Sequence, residues 1–190
     1  MMNSWSEKEI SMNSVDQSSE KGCVSQLTDI QEFLSRFHIF SDAPSGVASL
    51  FAYLAKREEY VKGTLIMAEG ERCDRIFLIV SGQVDIFQYY NERRFHLQLL
   101  SCDSINYFGE LALLSEFNWF FSARAWTDVS LLSISREAFS KVMGKYPESY
   151  QSMVQKIINS RIHRFIDQSG YLLDHISPEA WREDPSEASG

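Results

Sequence analysis

The stretch Phe108-Gly109-Glu110-Leu111-Ala112-Leu113-Leu114 is the most informative part of this chain. A Gly-Glu pair that leads into a short helix can hold a phosphate-bearing ligand, because a helix N-terminus presents unpaired N–H groups and a partial positive charge. The Glu110 carboxylate can accept hydrogen bonds from ligand hydroxyls. It would also stabilise the helix by complementing the dipole without any ligand, so both interpretations of Glu110 stay open.

Short apolar runs on both sides of this stretch predict a mainly β fold. Glycines at 63, 70 and 82 separate several of these runs, and Asn91 tolerates the positive φ of a hairpin turn. The predicted strands are Tyr60-Val61, Leu65 to Met67, Ile76 to Val80, Val84 to Tyr90, Arg93 to Leu100 and Ser122 to Ser133. The pattern predicts an α+β, mainly β domain, an antiparallel β-roll or jelly-roll barrel with helices at both ends.

Helical periodicity marks the two ends. A first helix carries Ile30, Phe33, Leu34 and Phe37, and a second follows Pro44. Ser135 can cap a helix that runs to about Tyr146, and Pro147 suits the first turn of the last helix. We expect Ser169-Gly170 to end that last helix. Its apolar stripe favours packing against its own domain, and it consists of Tyr150, Met153, Val154, Ile157, Ile158, Ile162, Phe165 and Ile166.

Five segments together resemble the cyclic nucleotide-binding domain. They are Phe33-Leu34 to Phe40, Gly63 to Ile66, Glu69-Gly70-Glu71, Ile76 to Val84, and Phe108 to Leu114, which we name the cassette. The resemblance covers roughly residues 30 to 165. It implies a β-roll with N-terminal helices, a short cassette helix and C-terminal lid helices, and cyclic AMP or cyclic GMP as the candidate ligand with no other cofactor. The lid helix of this family often dimerises, which implies a homodimer or a protein partner.

The resemblance carries over to the cassette residue by residue. Gly109, Glu110, Leu111 and Ala112 all match the family pattern. The counterpart of Glu110 binds the ribose hydroxyl, and the following amides approach the cyclic phosphate. An arginine ten residues after the glycine then neutralises that phosphate, and this chain has Trp119 there.

Trp119 changes the expected chemistry of the site. An arginine fork makes two charge-assisted hydrogen bonds, each contributing roughly 1.5 to 3 kcal/mol, so its loss weakens binding by at least ~100-fold. An indole offers one neutral donor and a wide apolar face. Trp119 therefore either belongs to the core with the nearby phenylalanines or stacks on a ligand ring.

Two residues beyond Trp119 complete the candidate site. Ser122 keeps a hydroxyl group, and Arg124 could replace the missing cation, since it shares one strand face with Ser122 and Trp126. The alternative is that Arg124 occupies a strand position that is commonly basic in this family for unrelated reasons.

Composition limits the other classes of function. The formal net charge of -8 argues against nucleic acid as a partner, and no apolar run is long enough to span a bilayer. The three cysteines and four histidines show no metal-ligand spacing, and the unpaired cysteines fit a reducing cytoplasm. The motifs of common hydrolases and nucleotide-hydrolysing enzymes are absent, which favours a noncatalytic protein.

The chain divides into three predicted parts. Residues 1–27 are polar and predicted to be disordered, residues 28–168 form the cyclic nucleotide-binding-like domain, and residues 169–190 form an acidic tail. The tail is too short and too acidic for a helix-turn-helix module. Two functions compete: a regulatory sensor with weakened or altered nucleotide binding, and a ligand-independent interaction module whose pocket is filled by the chain itself. Tyr171-Leu172-Leu173 is the candidate plug.

Overall fold

The computed structural model describes residues 27–104 and 106–175, with side chains as far as residue 170. Helix α1 is described from residue 27 to residue 35. The other helices are α2 (Ser45–Leu54), α3 (Arg136–Lys145), α4 (Pro147–His175) and a 3₁₀ helix in the cassette (Glu110–Leu113). The strands are β1 (Lys56–Tyr60), β2 (Leu65–Met67), β3 (Arg72–Cys73), β4 (Arg75–Ser81), β5 (Gln83–Tyr90), β6 (Arg93–Ser101), β7 (Tyr107–Phe108), β8 (Phe117–Asn118), β9 (Ser122–Ala125) and β10 (Val129–Ser135).

Two antiparallel four-stranded sheets form the roll. Their strand orders are β1-β10-β4-β7 and β2-β9-β5-β6, and β3 pairs separately with β8. The predicted mainly β fold, an antiparallel roll with helices on either side in sequence, is confirmed. Within the described residues no strand pairing joins the two sheets into a closed barrel.

The buried side chains fall into two clusters. One lies between the helices and strands β4 and β10, and it includes Phe37, Phe51, Phe139 and Ile157. The other fills the interior of the roll and includes Trp119. The side chains of β4 alternate between the clusters: Ile76 and Leu78 belong to the helical one, and Phe77 and Ile79 to the other. Strand β4 therefore contributes side chains both to the cluster under the helices and to the interior of the roll.

The hairpin between β5 and β6 forms at the predicted turn. Asn91 and Glu92 both have positive φ, 49° and 61°, as the tightest hairpin turns require. Two predicted helix starts are confirmed as well. The Ser135 hydroxyl accepts a hydrogen bond from the amide of Ala138, and Pro147 is the first residue of α4.

The strand predicted from Ser122 to Ser133 is wrong, because it is two strands in different sheets. Residues 126–128 form the break. There the Thr127 hydroxyl accepts a hydrogen bond from the Gln83 amide at 3.0 Å, and the Asp128 carboxylate accepts one from the Lys62 amide at 2.8 Å. The two side chains thus accept hydrogen bonds from the backbone amides of Gln83 and Lys62 outside the regular strand pairing. The chain leaves one sheet here and enters the other.

Two predictions for the last helix are also wrong. Helix α4 does not end at Ser169-Gly170 but continues to His175, since a single glycine costs only about 1 kcal/mol in a helix that is already formed. Of its apolar stripe, only Met153 and Ile157 are buried. The stripe therefore packs against its own domain in the first half of α4 and is exposed beyond that.

The predicted domain limits meet the structure at two points. Residue 27 already belongs to α1, and the rest of the predicted extension lies outside the described residues. Residues 169–175 belong to α4 rather than to a tail, and residues 176–190 lie outside the described residues. The candidate plug Tyr171-Leu172-Leu173 has a helical backbone, and its side chains are not described.

Candidate ligand-binding site

A cavity of about 600 Å³ lies between the cassette, strand β6 and helix α4. The cassette contributes Gly109, Glu110 and Leu111 to its lining. Its volume is typical of pockets for small molecules. Both Glu110 and Trp119 line it, so the chain does not fill the space beside these two side chains completely.

Gly109 is required by the geometry of the cassette. It has a φ of +83° and precedes the 3₁₀ helix. A Cβ atom there would lie 2.5 Å from the carbonyl oxygen of Arg75 and 2.5 Å from Cη2 of Trp119. Only glycine satisfies both the positive φ and the close approach.

Glu110 is a buried acid that faces the cavity. Its exposed fraction is 4%. Oε2 lies 3.8 Å from Nη1 of Arg164, and Oε1 has no hydrogen-bond partner in the described part of the chain. A buried polar atom without a partner is costly, which marks Oε1 as a site for a hydrogen-bond donor from outside the protein.

Trp119 belongs to the core and to the cavity wall at the same time. It is only 4% exposed, and its ring lies 5.4 to 6.4 Å from four phenylalanine rings, measured between centroids: Phe77, Phe108, Phe117 and Phe121. The core interpretation of Trp119 is therefore confirmed, and its stacking on a ligand ring stays a prediction.

Ala112 does not line the cavity. It is fully buried, and its amide donates to the carbonyl of Gly109 at 3.0 Å, so the amide is not available to a ligand. Sequence reasoning missed the residue that anchors this turn. The Arg136 guanidinium donates to the carbonyl of Ala112 and, at 2.6 Å, to that of Cys73. The prediction that the amide of Ala112 approaches a phosphate is not supported by this geometry.

Ser122 and Arg124 lie outside the cavity lining as well. The hydroxyl of Ser122 accepts a hydrogen bond from the amide of Glu69 at 3.0 Å. Arg124 pairs in register with Asp85, whereas the cavity residue Ile86 pairs with Ala123. Successive strand residues face opposite sides of a sheet, so Arg124 points away from the cavity. From there it cannot supply the cation that the family has ten residues after the cassette glycine.

Helix α4 supplies cations that sequence reasoning missed. Arg161, Arg164 and Gln168 line the cavity. They follow the buried Ile157 at intervals of four, three and four residues, which places all four on one face of the helix. That spacing from Ile157 is a signal visible in the sequence itself.

Arg164 ties α4 to the edge of the cavity. It donates to the carbonyl of Tyr107 at 2.8 Å, and its guanidinium carbon lies 4.1 Å from the centroid of the Tyr107 ring. The hydroxyls of Tyr107 and Ser160 form a second contact. Helix α4 therefore rests on β7 next to Glu110.

A family model for the cyclic nucleotide-binding domain matches residues 57–146, which contain the cassette and both four-stranded sheets. These residues belong to the cyclic nucleotide-binding domain family. The family is a regulatory one that occurs in kinase regulatory subunits and in regulators of the CRP type. The expected recognition and the fold class are confirmed.

Two curated relatives show how such a domain is used in longer chains. Patatin-like phospholipase domain-containing protein 7 of Mus musculus is 29% identical over 120 residues, 63% of this chain and 9% of that protein. A CRP-like cAMP-activated global transcriptional regulator of Mycobacterium tuberculosis is 29% identical over 136 residues, 71% of this chain and 59% of the regulator. This chain thus spans less than two thirds of either relative.

A solved structure of the same family supports the fold. A cyclic nucleotide-binding domain from Methylobacillus flagellatus superposes with a TM-score of 0.68 at 15% identity and covers 80% of this chain and 84% of that one. At this identity the likeness concerns the fold alone.

Three further observations concern a reactive thiol, a metal site and a membrane-spanning helix. Burial raises the pKa of Cys73 to about 12, so its thiol stays protonated at neutral pH and is a poor nucleophile or metal ligand. Among the described residues no three histidine, cysteine, aspartate or glutamate side chains are grouped to hold a metal ion. In the same part of the chain, no helix is long and apolar enough to cross a membrane.

Proposed function

We propose that this domain is a noncatalytic regulatory sensor for a ring-bearing small molecule with free hydroxyl groups. The observation that carries the proposal is the buried Glu110, which lines a cavity of about 600 Å³ and whose Oε1 has no hydrogen-bond partner in the described residues. Burying a carboxylate oxygen without a partner costs about 1 to 3 kcal/mol, and a ligand hydroxyl recovers that cost on binding.

The cavity wall suits the ring of such a ligand. Trp119, Phe117, Phe120 and Phe121 all line it. Aromatic side chains prefer edge-to-face or offset contacts with another ring, each worth about 0.5 to 1.5 kcal/mol beyond the buried area. Cyclic AMP is the first candidate, since one relative is described as cAMP-activated.

We expect cyclic nucleotides to bind weakly, because Trp119 stands where the family has its phosphate-binding arginine. The indole can donate one neutral hydrogen bond where a guanidinium makes two charge-assisted ones. The buried position of Trp119, against Gly109, leaves no room for another side chain to reach the cassette from that side. Loss of the fork corresponds to at least ~100-fold in affinity.

Regulation would act through α4. Arg164 lies 3.8 Å from Oε2 of Glu110 and holds Tyr107 of β7. A ligand hydroxyl at Glu110 competes with Arg164 for the same carboxylate. Occupation of the cavity therefore changes the preferred position of α4 relative to the roll, which makes the domain a two-state switch.

Isothermal titration calorimetry with cyclic AMP and cyclic GMP tests this function. The wild-type chain should bind one of them detectably at millimolar ligand, and Trp119→Arg should bind it at least ~100-fold more tightly. Trp119→Phe is the matched control, since it keeps an aromatic ring without a cation and should not gain affinity. Circular dichroism verifies that each variant is folded.

Two results would contradict the proposal. Submicromolar binding by the wild-type chain would show that Trp119 does not weaken the site. An absence of binding by both the wild-type chain and folded Trp119→Arg would show that the cavity is not a nucleotide site.

A second candidate function is an interaction module that works without a ligand. The exposed fractions of Ile158, Ile162, Phe165 and Ile166 on α4 are 44, 49, 64 and 60%. A row of large apolar side chains on one helix face favours association with a similar helix, and we expect a homodimer through α4.

Sedimentation equilibrium tests this homodimer. The wild-type chain should dimerise at micromolar concentration, and Phe165→Glu should be a monomer. A wild-type chain that stays monomeric at concentrations about 100-fold above the micromolar range would contradict the dimer.

We place this function in the cytoplasm. Cys73 and Cys102 are both free. Unpaired cysteines persist in a reducing compartment, which is also where cyclic nucleotide signals act on regulatory domains. Localisation of a fluorescent fusion of the full chain tests the compartment, and a secreted or vesicular signal would contradict it.

A further inference from the structure

The cavity has a cationic side that is formed by the lid helix and not by the cassette. Arg161 and Arg164 both line it and stand three residues apart on α4, close enough for their charges to add. The acids that line the same cavity are Glu110 and Asp167. The two arginines differ in the contacts that their guanidinium groups already make within the protein.

Arg164 is committed to contacts within the protein. It donates to the Tyr107 carbonyl at 2.8 Å, stacks on the Tyr107 ring and lies 3.8 Å from Glu110. An anion that bound Arg164 would have to displace these contacts. Arg164 is therefore a poor primary site for a ligand anion.

Arg161 has no such commitment. No ion pair or hydrogen bond of its side chain occurs among residues 27–104 and 106–170. Its helix neighbours at three and four positions are Ile157, Ile158, Arg164 and Phe165, so no carboxylate on α4 is placed to pair with it. Its guanidinium carbon lies 6.0 Å from the ring centroid of Phe120, another residue of the cavity lining.

We infer that Arg161 supplies the ligand-binding cation that the cassette lacks, so that the site takes an anionic ligand whose hydroxyls face Glu110 and whose charge faces α4. The inference rests on the proposed function of the cavity and specifies its ligand as an anion. Such a ligand bridges the roll and the lid helix. In the family arrangement the phosphate stays at the cassette, whereas here its charge is held by helix α4.

Charge-assisted hydrogen bonds from a guanidinium to a phosphate are strong and depend on the ligand charge. A neutral nucleoside with the same base and the same ribose 2′-hydroxyl would gain nothing from Arg161. The pair cyclic AMP and adenosine therefore separates the contribution of Arg161 from that of Glu110 and the aromatic wall.

Calorimetry on the full chain tests the inference with these two probes. Arg161→Gln should weaken cyclic AMP by about 10- to 100-fold and change adenosine by less than about twofold. Arg161→Lys, which keeps the charge without the fork, should fall between the wild-type chain and Arg161→Gln. Lys156→Gln is the matched control: it removes one positive charge from the same helix, but Lys156 pairs with Asp42 outside the cavity. It should leave both probes unchanged.

The outcomes separate this inference from the proposed function. Equal cyclic AMP affinity in Arg161→Gln and the wild-type chain would overturn the role of Arg161 and leave the sensor function standing. Equal weakening of cyclic AMP and adenosine would assign Arg161 a packing role and overturn the inference in the same way. Failure of the wild-type chain to bind either probe at millimolar concentration would overturn both.

Discussion

Trp119 lies directly against Gly109: a Cβ atom at position 109 would be 2.5 Å from Cη2 of the indole. Trp119 is thus in contact with the first turn of the cassette, and its indole occupies the space beside the glycine. This contact links the packing of the roll interior to the chemistry of the cavity.

Gly109→Ala should destabilise the domain by roughly 2 to 3 kcal/mol, because the new Cβ meets Trp119 and the Arg75 carbonyl and the φ of +83° is strained for alanine. The measurement is urea unfolding followed by circular dichroism. Gly144→Ala is the control, since Gly144 lies in α3 with nothing within 4 Å, and it should stabilise by up to about 1 kcal/mol. Equal effects of the two variants would refute the close contact.

Glu110→Gln separates the two interpretations of Glu110. If the carboxylate is held for a ligand, Glu110→Gln should lose ligand binding. The replacement removes an oxygen without a hydrogen-bond partner but also the ion pair with Arg164 at 3.8 Å, so the free energy of unfolding should change by less than about 1 kcal/mol. Urea unfolding and calorimetry with cyclic AMP measure the two effects. A fall in stability without any loss of binding would instead support a carboxylate that only complements the helix dipole.

Asp85→Asn should destabilise the domain by about 1 to 2 kcal/mol. Asp85 is 1% exposed and accepts hydrogen bonds from Arg94 and, at 3.4 Å, from Arg124, with Nδ1 of His96 2.6 Å away. The arginines are about one-third exposed, so water compensates part of the lost attraction. Glu32→Gln is an exposed control and should stay within about 0.5 kcal/mol of the wild-type chain. An Asp85→Asn variant as stable as this control would contradict the buried cluster.

Asp74 should contribute to stability only above its own titration range. A hydrogen bond from Arg75 Nε, 2.7 Å from Oδ1, lowers the pKa of Asp74 in the folded state. A lowered folded-state pKa means that the contribution is present above the ordinary value near 4 and is lost as the pH falls through the folded-state pKa. The difference in stability between the wild-type chain and Asp74→Asn should therefore be largest at pH 7 and shrink towards pH 2. Urea unfolding across this range measures it, and a constant difference would count against the pairing.

The elements of the fold could be predicted because their signals are local. Apolar runs between glycines defined the central strands, Ser135 and Pro147 marked helix starts, and Asn91 marked the hairpin turn. The two errors in element limits arose where local propensity was overridden. Side chains of Thr127 and Asp128 broke an apparent strand, and helix α4 passed through Gly170.

The candidate site was only partly predictable. Cassette residues Gly109, Glu110 and Leu111 line the cavity with Trp119, as expected from their order along the chain. The two interpretations of Arg124 could not be separated from the sequence, because strand alternation gives a shared face but not which side of the sheet that face meets. Arg161 and Arg164 were missed because they lie more than forty residues after the cassette.

By itself the sequence determined the antiparallel roll, the place of the cassette and the presence of an indole at position 119, since each depends on residue types and short spacings. Only the tertiary structure decided that Glu110 and Trp119 line one cavity, that Oε1 of Glu110 has no hydrogen-bond partner among the described residues, and that the cations beside the cavity belong to α4. The physical reason is that these features depend on how a helix docks across a sheet. Docking follows from the packing of many distant side chains, which no local pattern encodes.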